Sequence, residues 1–225
     1  MKNQNITPKS GGNLRGIAFI GGEGPGNEAL RIIARDAELL VAADSGLLAM
    51  EEAGLAPHWI VGDMDSLDDP ARLDKCHPGR VLRFPADKDW SDTELALNLL
   101  KEKGCDEVWL AGGGGGRMDH LIAIRSLFER EEGPDRWFPG TEEIRCLGEG
   151  KVLNAALPPL SRVSVFPLGS VSYQAESSGL KWPLNNLSWE KGCFSLSNIA
   201  PDGSFIIRSI RGRFMVIMPM IFGGN

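Results

Sequence analysis

This sequence has no excess of positive charge. Its 225 residues carry 24 basic and 30 acidic side chains, a net of -6. Proteins that bind nucleic acid or membrane surfaces draw their affinity from basic patches, so neither partner is expected. No apolar run reaches the roughly 18 residues of a membrane span. The opening MKNQNITPKSGGN lacks the apolar centre of a signal peptide and reads as a disordered lead-in. Cysteine is scarce: Cys76, Cys105, Cys146 and Cys193 stand far apart and form no CxxC pair. That spacing argues against a zinc site and for reduced thiols in a cytoplasmic protein. GxxxxGK[ST] does not occur, which excludes a Walker-type phosphate loop, and GGEGPG does not fit GxGxxG in register.

Hydrophobic residues make up 42% of the chain, ample for a core. From Arg15 short apolar runs alternate with helical patterns. GIAFIGG, ELLVAAD, HWIVGD, RVLRFP and EVWLAGG read as strands. NEALRIIARDA reads as a helix capped by Asn27, and SGLLAMEEAG as one ending at Gly54. SDTELALNLLKEKG is the clearest helix, with Ser91 as cap, Glu94 three residues later and Gly104 as stop. RMDHLIAIRSLFER reads as a helix and EEIRCLGEG as a last strand. Such alternation predicts an open parallel sheet with helices on both faces. After about Gly150 the pattern changes to short alternating runs such as SRVSVFPL, CFSLSN, SFIIRSI and RFMVIM, which predict a small all-β sandwich or barrel. The expected organisation is an α/β domain over 14–149 and an all-β domain over 150–222.

Ligands of open parallel sheets bind beyond the carboxyl ends of the strands. Here each such end is rich in glycine and polar residues: GGEGPG, then Asp44-Ser45-Gly46, then VGDMDSL, then PADKDWSD, then GGGGGRMDH. Turn chemistry explains one such loop, but not five on one edge. In VGDMDSL an extended chain would point Asp63 and Asp65 the same way. Two close carboxylates repel unless a cation lies between them. Asp44, Asp89, Asp92 and Asp119 fall on the same edge. Carboxylates beside an anion-binding loop point to magnesium shared with phosphates. The glycine run leads into a helix at Arg117, whose planar fork suits phosphate oxygens. Blander roles stand beside these: Asp92 as a helix-start residue, Asp119 as a first-turn charge, Lys88 as a solvated cation and His120 as a structural histidine.

These motifs resemble those of the thiamin pyrophosphokinase family. ADSG matches its Asp-Gly-Gly-like turn, GDMDS its GD-x-DS, KDWSDTELA its KD-x-[ST]-D-x-E-x-A, and GGRMDH its GGR-x-DH. In the second half GLKWPL and SLSN resemble its GLKYPL and S-x-SN stretches. The likeness runs from about Ile17 to about Met218, with Ser45 in place of the more usual glycine and Ser91 in place of threonine. It implies transfer of pyrophosphate from ATP to the hydroxyl of thiamin, giving thiamin diphosphate and AMP. It also implies a homodimer whose sites are shared between subunits. Asp63, Asp65 and Asp92 would hold Mg2+ and, with Asp119, form the catalytic set. Asp44, Lys88, Gly113, Gly114, Gly115, Gly116 and Arg117 would hold ATP. Trp182, Ser197 and Asn198 would meet thiamin. Two rival readings remain: a pyrophosphokinase acting on another acceptor such as a pterin, and a non-catalytic nucleotide- or thiamin-binding protein. GLKWPL with SLSN counts against the first. The complete carboxylate and arginine set counts against the second.

Overall fold

A computed structural model describes residues 13–65, 69–169 and 172–221. Ser66 and Leu67 of the acidic motif, the lead-in over 1–12 and position 222 lie outside the described residues. The chain divides into two compact units: 1–124 with 137–140, and 125–136 with 141–225.

The first unit alternates strands and helices. These are β1 (Arg15–Phe19), α1 (Asn27–Arg35), β2 (Leu39–Ala43), α2 (Gly46–Glu52), β3 (Trp59–Gly62), β4 (Val81–Arg83), α3 (Asp92–Glu102), β5 (Glu107–Ala111), α4 (Met118–Leu127, which runs across the division) and β6 (Arg136–Phe138). The strand order is β6-β5-β1-β2-β3-β4. β1 pairs in parallel with both β2 and β5, and β2, β3 and β4 follow in parallel. A parallel strand is covered on both faces, so it needs a continuous apolar run rather than an alternating one. LLVAA of β2 is buried throughout, and Ile17, Val41, Ile60, Val108 and Leu110 have no exposed surface. α3 lies so close to β1 that a Cβ at Gly16 would meet Leu100 Cδ2 at 2.5 Å. β1 has β2 on one side and β5 on the other, so the direction of winding reverses there. The loops after β1 and β5 therefore flank the crevice where such sheets take ligands.

Helix ends follow local chemistry. Ser91 and Glu94 form the expected reciprocal capping box at α3. Asn27 does not cap α1: it is already the first helical residue, and the cap position is Gly26, with no side-chain cap.

The second unit contains β7 (Glu142–Leu147), β8 (Val152–Ala156), β9 (Ser161–Leu168), β10 (Gln174–Ser178), β11 (Ser195–Ala200), β12 (Ser204–Arg211) and β13 (Arg213–Pro219). β11-β9-β13-β7 form one antiparallel arrangement and β10-β12-β8 another. Val163, Val165, Phe214 and Val216 of the first share a core with Leu153, Ala175, Phe205 and Ile207 of the second. This is sandwich packing, with alternate residues of β12 turned inward. EEIRCLGEG supplies β7, which pairs antiparallel with β13.

Candidate active site

The acidic residues converge through strained and glycine-dependent backbone. Asp44, directly after β2, has φ 47 and donates its N–H to Val61 O at 2.9 Å. β3 ends at Gly62, with φ 140; a Cβ there would lie 3.2 Å from Asp92 Oδ1 and 3.3 Å from Asp44 Cβ. Only glycine gives both the backbone angle and the clearance. The chain does not then stay extended as expected. Met64 has φ 68, and the Asp65 N–H turns back to donate to Asp63 Oδ1 at 3.2 Å. A tight turn, rather than the period of a strand, brings Asp63 and Asp65 together. One carboxylate oxygen from each of Asp44, Asp63 and Asp65 lies within 4.8 Å of the others.

Asp92 joins this group from the start of α3, and Lys88 ties it in. Lys88 Nζ lies 3.2 Å from Asp63 Oδ2 and 3.2 Å from Asp92 Oδ1. The second contact has ion-pair distance without hydrogen-bond alignment, and Asp92 Oδ1 and Asp44 Oδ1 are both buried without a hydrogen bond. Buried oxygens without donors are costly and need a reason. A cation bound by the cluster supplies one, and oxygen-only donors of this number suit magnesium.

The protonation balance follows from these contacts. The Asp65 N–H, opposed by desolvation and helped by Lys88, holds the Asp63 carboxyl below its usual range. Burial pushes Asp92 the other way, and Lys88 only partly offsets it. Lys88 loses water too, but its close pairing with the Asp92 and Asp63 carboxylates outweighs this and raises its pKa. A carboxyl raised on folding favours the folded state while protonated, and that contribution is lost as pH rises through its folded pKa. Asp92→Asn should therefore melt above wild type at pH 7.5, with the gap closing as pH falls into the carboxylate range. Thermal denaturation across pH checks this; a variant that melts below wild type at pH 7.5 contradicts it.

The glycine run is pinned before it reaches α4. Glu23 and Gly114 exchange two backbone hydrogen bonds (2.8 and 2.7 Å), and Gly113 N–H donates to Gly21 O. Gly112 N–H donates to Phe138 O, while the buried Trp137 indole donates to Gly112 O at 2.7 Å. The amides of Gly112, Gly113 and Gly114 are thus occupied within the fold, and the turn faces solvent from Gly115 onward. Glu23 and Trp137 were not legible as partners of this loop. The hint was GGEGPG itself, a second glycine-rich loop that needs close backbone neighbours.

Arg117 and Asp119 form an exposed pair at the start of α4, with Nη2 to Oδ2 at 2.6 Å and Nε to Oδ1 at 3.2 Å. The fork of Arg117 brings the Asp119 carboxyl down to about 2. His120 and Asp89 are exposed, and the His120 N–H donates to Asp119 Oδ1.

In the second unit Asn198 is buried, and its amide is taken up by the protein itself. Oδ1 accepts from the N–H groups of Trp182 (3.1 Å) and Ile199 (2.9 Å), and Nδ2 donates to Trp182 O (2.6 Å) and Ser195 Oγ (3.3 Å). Ser197, exposed with φ 53, interrupts the pairing of β11 with β9. Trp182 is 53% exposed. Trp189 packs edge-on against Phe214, with ring centres 5.0 Å apart.

An open α/β sheet with acidic and glycine-rich loops at its carboxyl edge, followed by an antiparallel β unit, is the class this chain belongs to. Residues 30–134 match the family model described as "Thiamin pyrophosphokinase, catalytic domain". The thiamine pyrophosphokinase of Bacillus subtilis (strain 168) is 27% identical over 175 residues, which cover 74% of this chain and 81% of that protein. The crystal structure of thiamin pyrophosphokinase from Geobacillus thermodenitrificans is 25% identical with a TM-score of 0.72, covering 92% of this chain and 98% of the other. A thiamin pyrophosphokinase family protein from Enterococcus faecalis shares the fold, with a TM-score of 0.74 at 22% identity over 94% of this chain and 100% of the other. Over residues 30–134 the chain is thus similar to the catalytic domain of thiamin pyrophosphokinases, and its fold is theirs over nearly its whole length.

Proposed function

We propose that this chain converts thiamin to thiamin diphosphate by moving the terminal pyrophosphate of ATP onto the thiamin hydroxyl, with release of AMP. The observation that carries this is the joining of Asp44, Asp63 and Asp65 within 4.8 Å, beside Lys88 and Asp92, in a chain similar to this family. The hydroxyl oxygen attacks the β-phosphorus, the bond from that phosphorus to the oxygen of AMP breaks, and the hydroxyl proton is released. Such a transfer needs positioning and charge neutralisation more than a protein nucleophile.

Asp63, Asp65 and Asp92 would hold Mg2+, supported by Asp44, whose buried Oδ1 has no donor. The ion would supply charge neutralisation of the phosphates. Lys88 balances the carboxylates from the protein side. The solvent-facing end of the glycine turn, Gly115 and Gly116, and Arg117 would meet the phosphates. Gly113 and Gly114 act one step back, by fixing the turn. Asp119 holds the guanidinium of Arg117 in a set direction. Arg117→Ala should raise KM for ATP, and Arg117→Lys should recover only part, because a lysine offers no planar fork. Full recovery with lysine would show that a point charge suffices.

Thiamin has a cationic thiazolium and an aminopyrimidine, so it needs an aromatic face and directed hydrogen bonds. Trp182 and Ser197 offer these in the second unit, whereas the carboxyl edge of the first offers carboxylates and glycines. On this reading the first unit is the α/β catalytic part and the second the β-rich thiamin-binding part; the strand Glu142–Leu147, expected in the first, lies in the second. The active form is a cytoplasmic homodimer with each site shared between subunits. Its four cysteines are free thiols, and no helix among the described residues is long and apolar enough to cross a membrane. At thiamin well below the wild-type KM, mixing Asp63→Asn chains with Trp182→Ala chains should raise activity above that of either variant alone, since one of two shared sites would be intact. No recovery after verified subunit exchange would mean that each chain builds its own site. The function itself is tested by offering ATP and magnesium with either thiamin or a hydroxymethylpterin. AMP should accumulate with thiamin and not with the pterin; the reverse would make the acceptor a pterin.

A further inference from the structure

The amide of Asn198 has no capacity left for a ligand. It is 1% exposed; Oδ1 accepts from the N–H groups of Trp182, sixteen residues away, and Ile199, and the two Nδ2 hydrogens go to Trp182 O and Ser195 Oγ. The paired N–H and C=O of Trp182 fix which end of the amide is oxygen, and the Ile199 N–H on the same oxygen agrees. A further backbone bond, Lys181 N–H to Ile199 O at 2.8 Å, straps the same segment to β11. Trp182 itself projects its indole into solvent, with 53% of the residue exposed, and Lys181 Nζ lies 4.7 Å from the ring centre. An exposed tryptophan whose main chain is held at both its N–H and its C=O, with the preceding residue held as well, is an unusual expense. The ring is free while its attachment is not, which is what a fixed stacking surface requires. The lysine covers one face of the ring, and a flat heterocycle can take the other.

We propose that Asn198 is a positioning residue for substrate: it never touches the ligand, and it clamps Trp182 so that the indole stands ready as the platform for the ring system of thiamin. This rests on the reading of the chain as a thiamin pyrophosphokinase. Pre-organisation of this kind acts on binding, since it removes the ordering cost of the aromatic group. Losing the clamp should therefore appear in KM for thiamin, with kcat and KM for ATP little changed.

The test combines kinetics with a direct view of the ring. Trp182→Ala and Asn198→Ala are each expected to raise KM for thiamin roughly tenfold, and the double variant no further than Trp182→Ala alone. Asn198→Ser, which keeps a short hydrogen-bonding group, serves if the alanine variant does not fold; melting curves identify that case. With 5-fluorotryptophan incorporated, the Trp182 fluorine signal, assigned through Trp182→Phe, should shift or broaden in the Asn198 variant. A double variant with fully additive losses would place Asn198 on the ligand and overturn the proposal, as would an unchanged fluorine signal. If the signal moves while Trp182→Ala leaves KM for thiamin unchanged, the clamp is real but its ligand is not thiamin, and the proposal fails on that half alone. If no variant or wild type turns over thiamin at all, the parent reading fails instead.

Discussion

Asp63→Asn should remove turnover while leaving the protein folded. Asp63 is the hinge of the carboxylate group: Oδ1 receives the Asp65 N–H and Oδ2 faces Lys88. The amide is nearly isosteric and keeps an acceptor for the Asp65 turn, so the backbone at Met64 has no reason to move. What goes is one negative charge from the carboxylate group proposed to hold a cation. Metal charge stabilisation in a transition state is worth several kcal/mol, and about 4 kcal/mol corresponds to on the order of a thousandfold in rate. The fold loses only part of an ion pair at the sheet edge, at most about 1 kcal/mol, or ~2–4 °C in Tm for a chain of this size. Product formation and a melting curve on one preparation check both halves. Near-normal turnover at limiting magnesium would remove Asp63 from the metal set.

Gly114→Ala should cost the fold heavily, although its backbone angle alone would accept a side chain. A Cβ there would lie 2.0 Å from Pro139 O and 2.9 Å from its carbonyl carbon. Those are backbone atoms, held beside the Trp137 indole and the Phe138 carbonyl that fix Gly112. They cannot swing aside as a side chain can. Overpacking costs typically about 1–3 kcal/mol, and a clash with rigid backbone belongs at the upper end, roughly 6–12 °C in Tm. The double hydrogen bond between Glu23 and Gly114 would part as well, freeing the turn that leads to Arg117. Gly116→Ala is the control. Its Cβ meets nothing within 4 Å, and only its φ of 57 resists a side chain. The cost there is about 1–2 kcal/mol. Melting temperatures of the two variants decide; equal losses would mean that the contact with Pro139 does not matter.

The parts that were legible in the sequence are those set by short-range chemistry. Ser91 with Glu94 announces α3, because a capping box needs only four residues. The all-apolar LLVAA and the alternating SFIIRSI separate a buried parallel strand from a half-exposed antiparallel one. The polar loops collect on one edge because parallel strands must all end on the same side. What could not be read depends on distant partners. Nothing in DRWFPGTEE says that its tryptophan will hold Gly112 O. Nor does SLSN say that its asparagine will turn inward to Trp182 rather than outward to a ligand. The turn at Met64 was missed for a related reason: a methionine at φ 68 is disfavoured locally, and it persists because Asp63, Asp65, Lys88 and Asp92 are held around it.

Labelled ATP tests the central claim most directly. With thiamin, magnesium and ATP carrying radioactive phosphorus at the β position, thiamin diphosphate should take up all of the label. AMP should appear in equal amount and carry none. Label at the γ position should enter the same product. If the β label stays in ADP while γ label passes to a thiamin monophosphate or to free phosphate, the bond broken is the wrong one, and pyrophosphate transfer by this chain is contradicted.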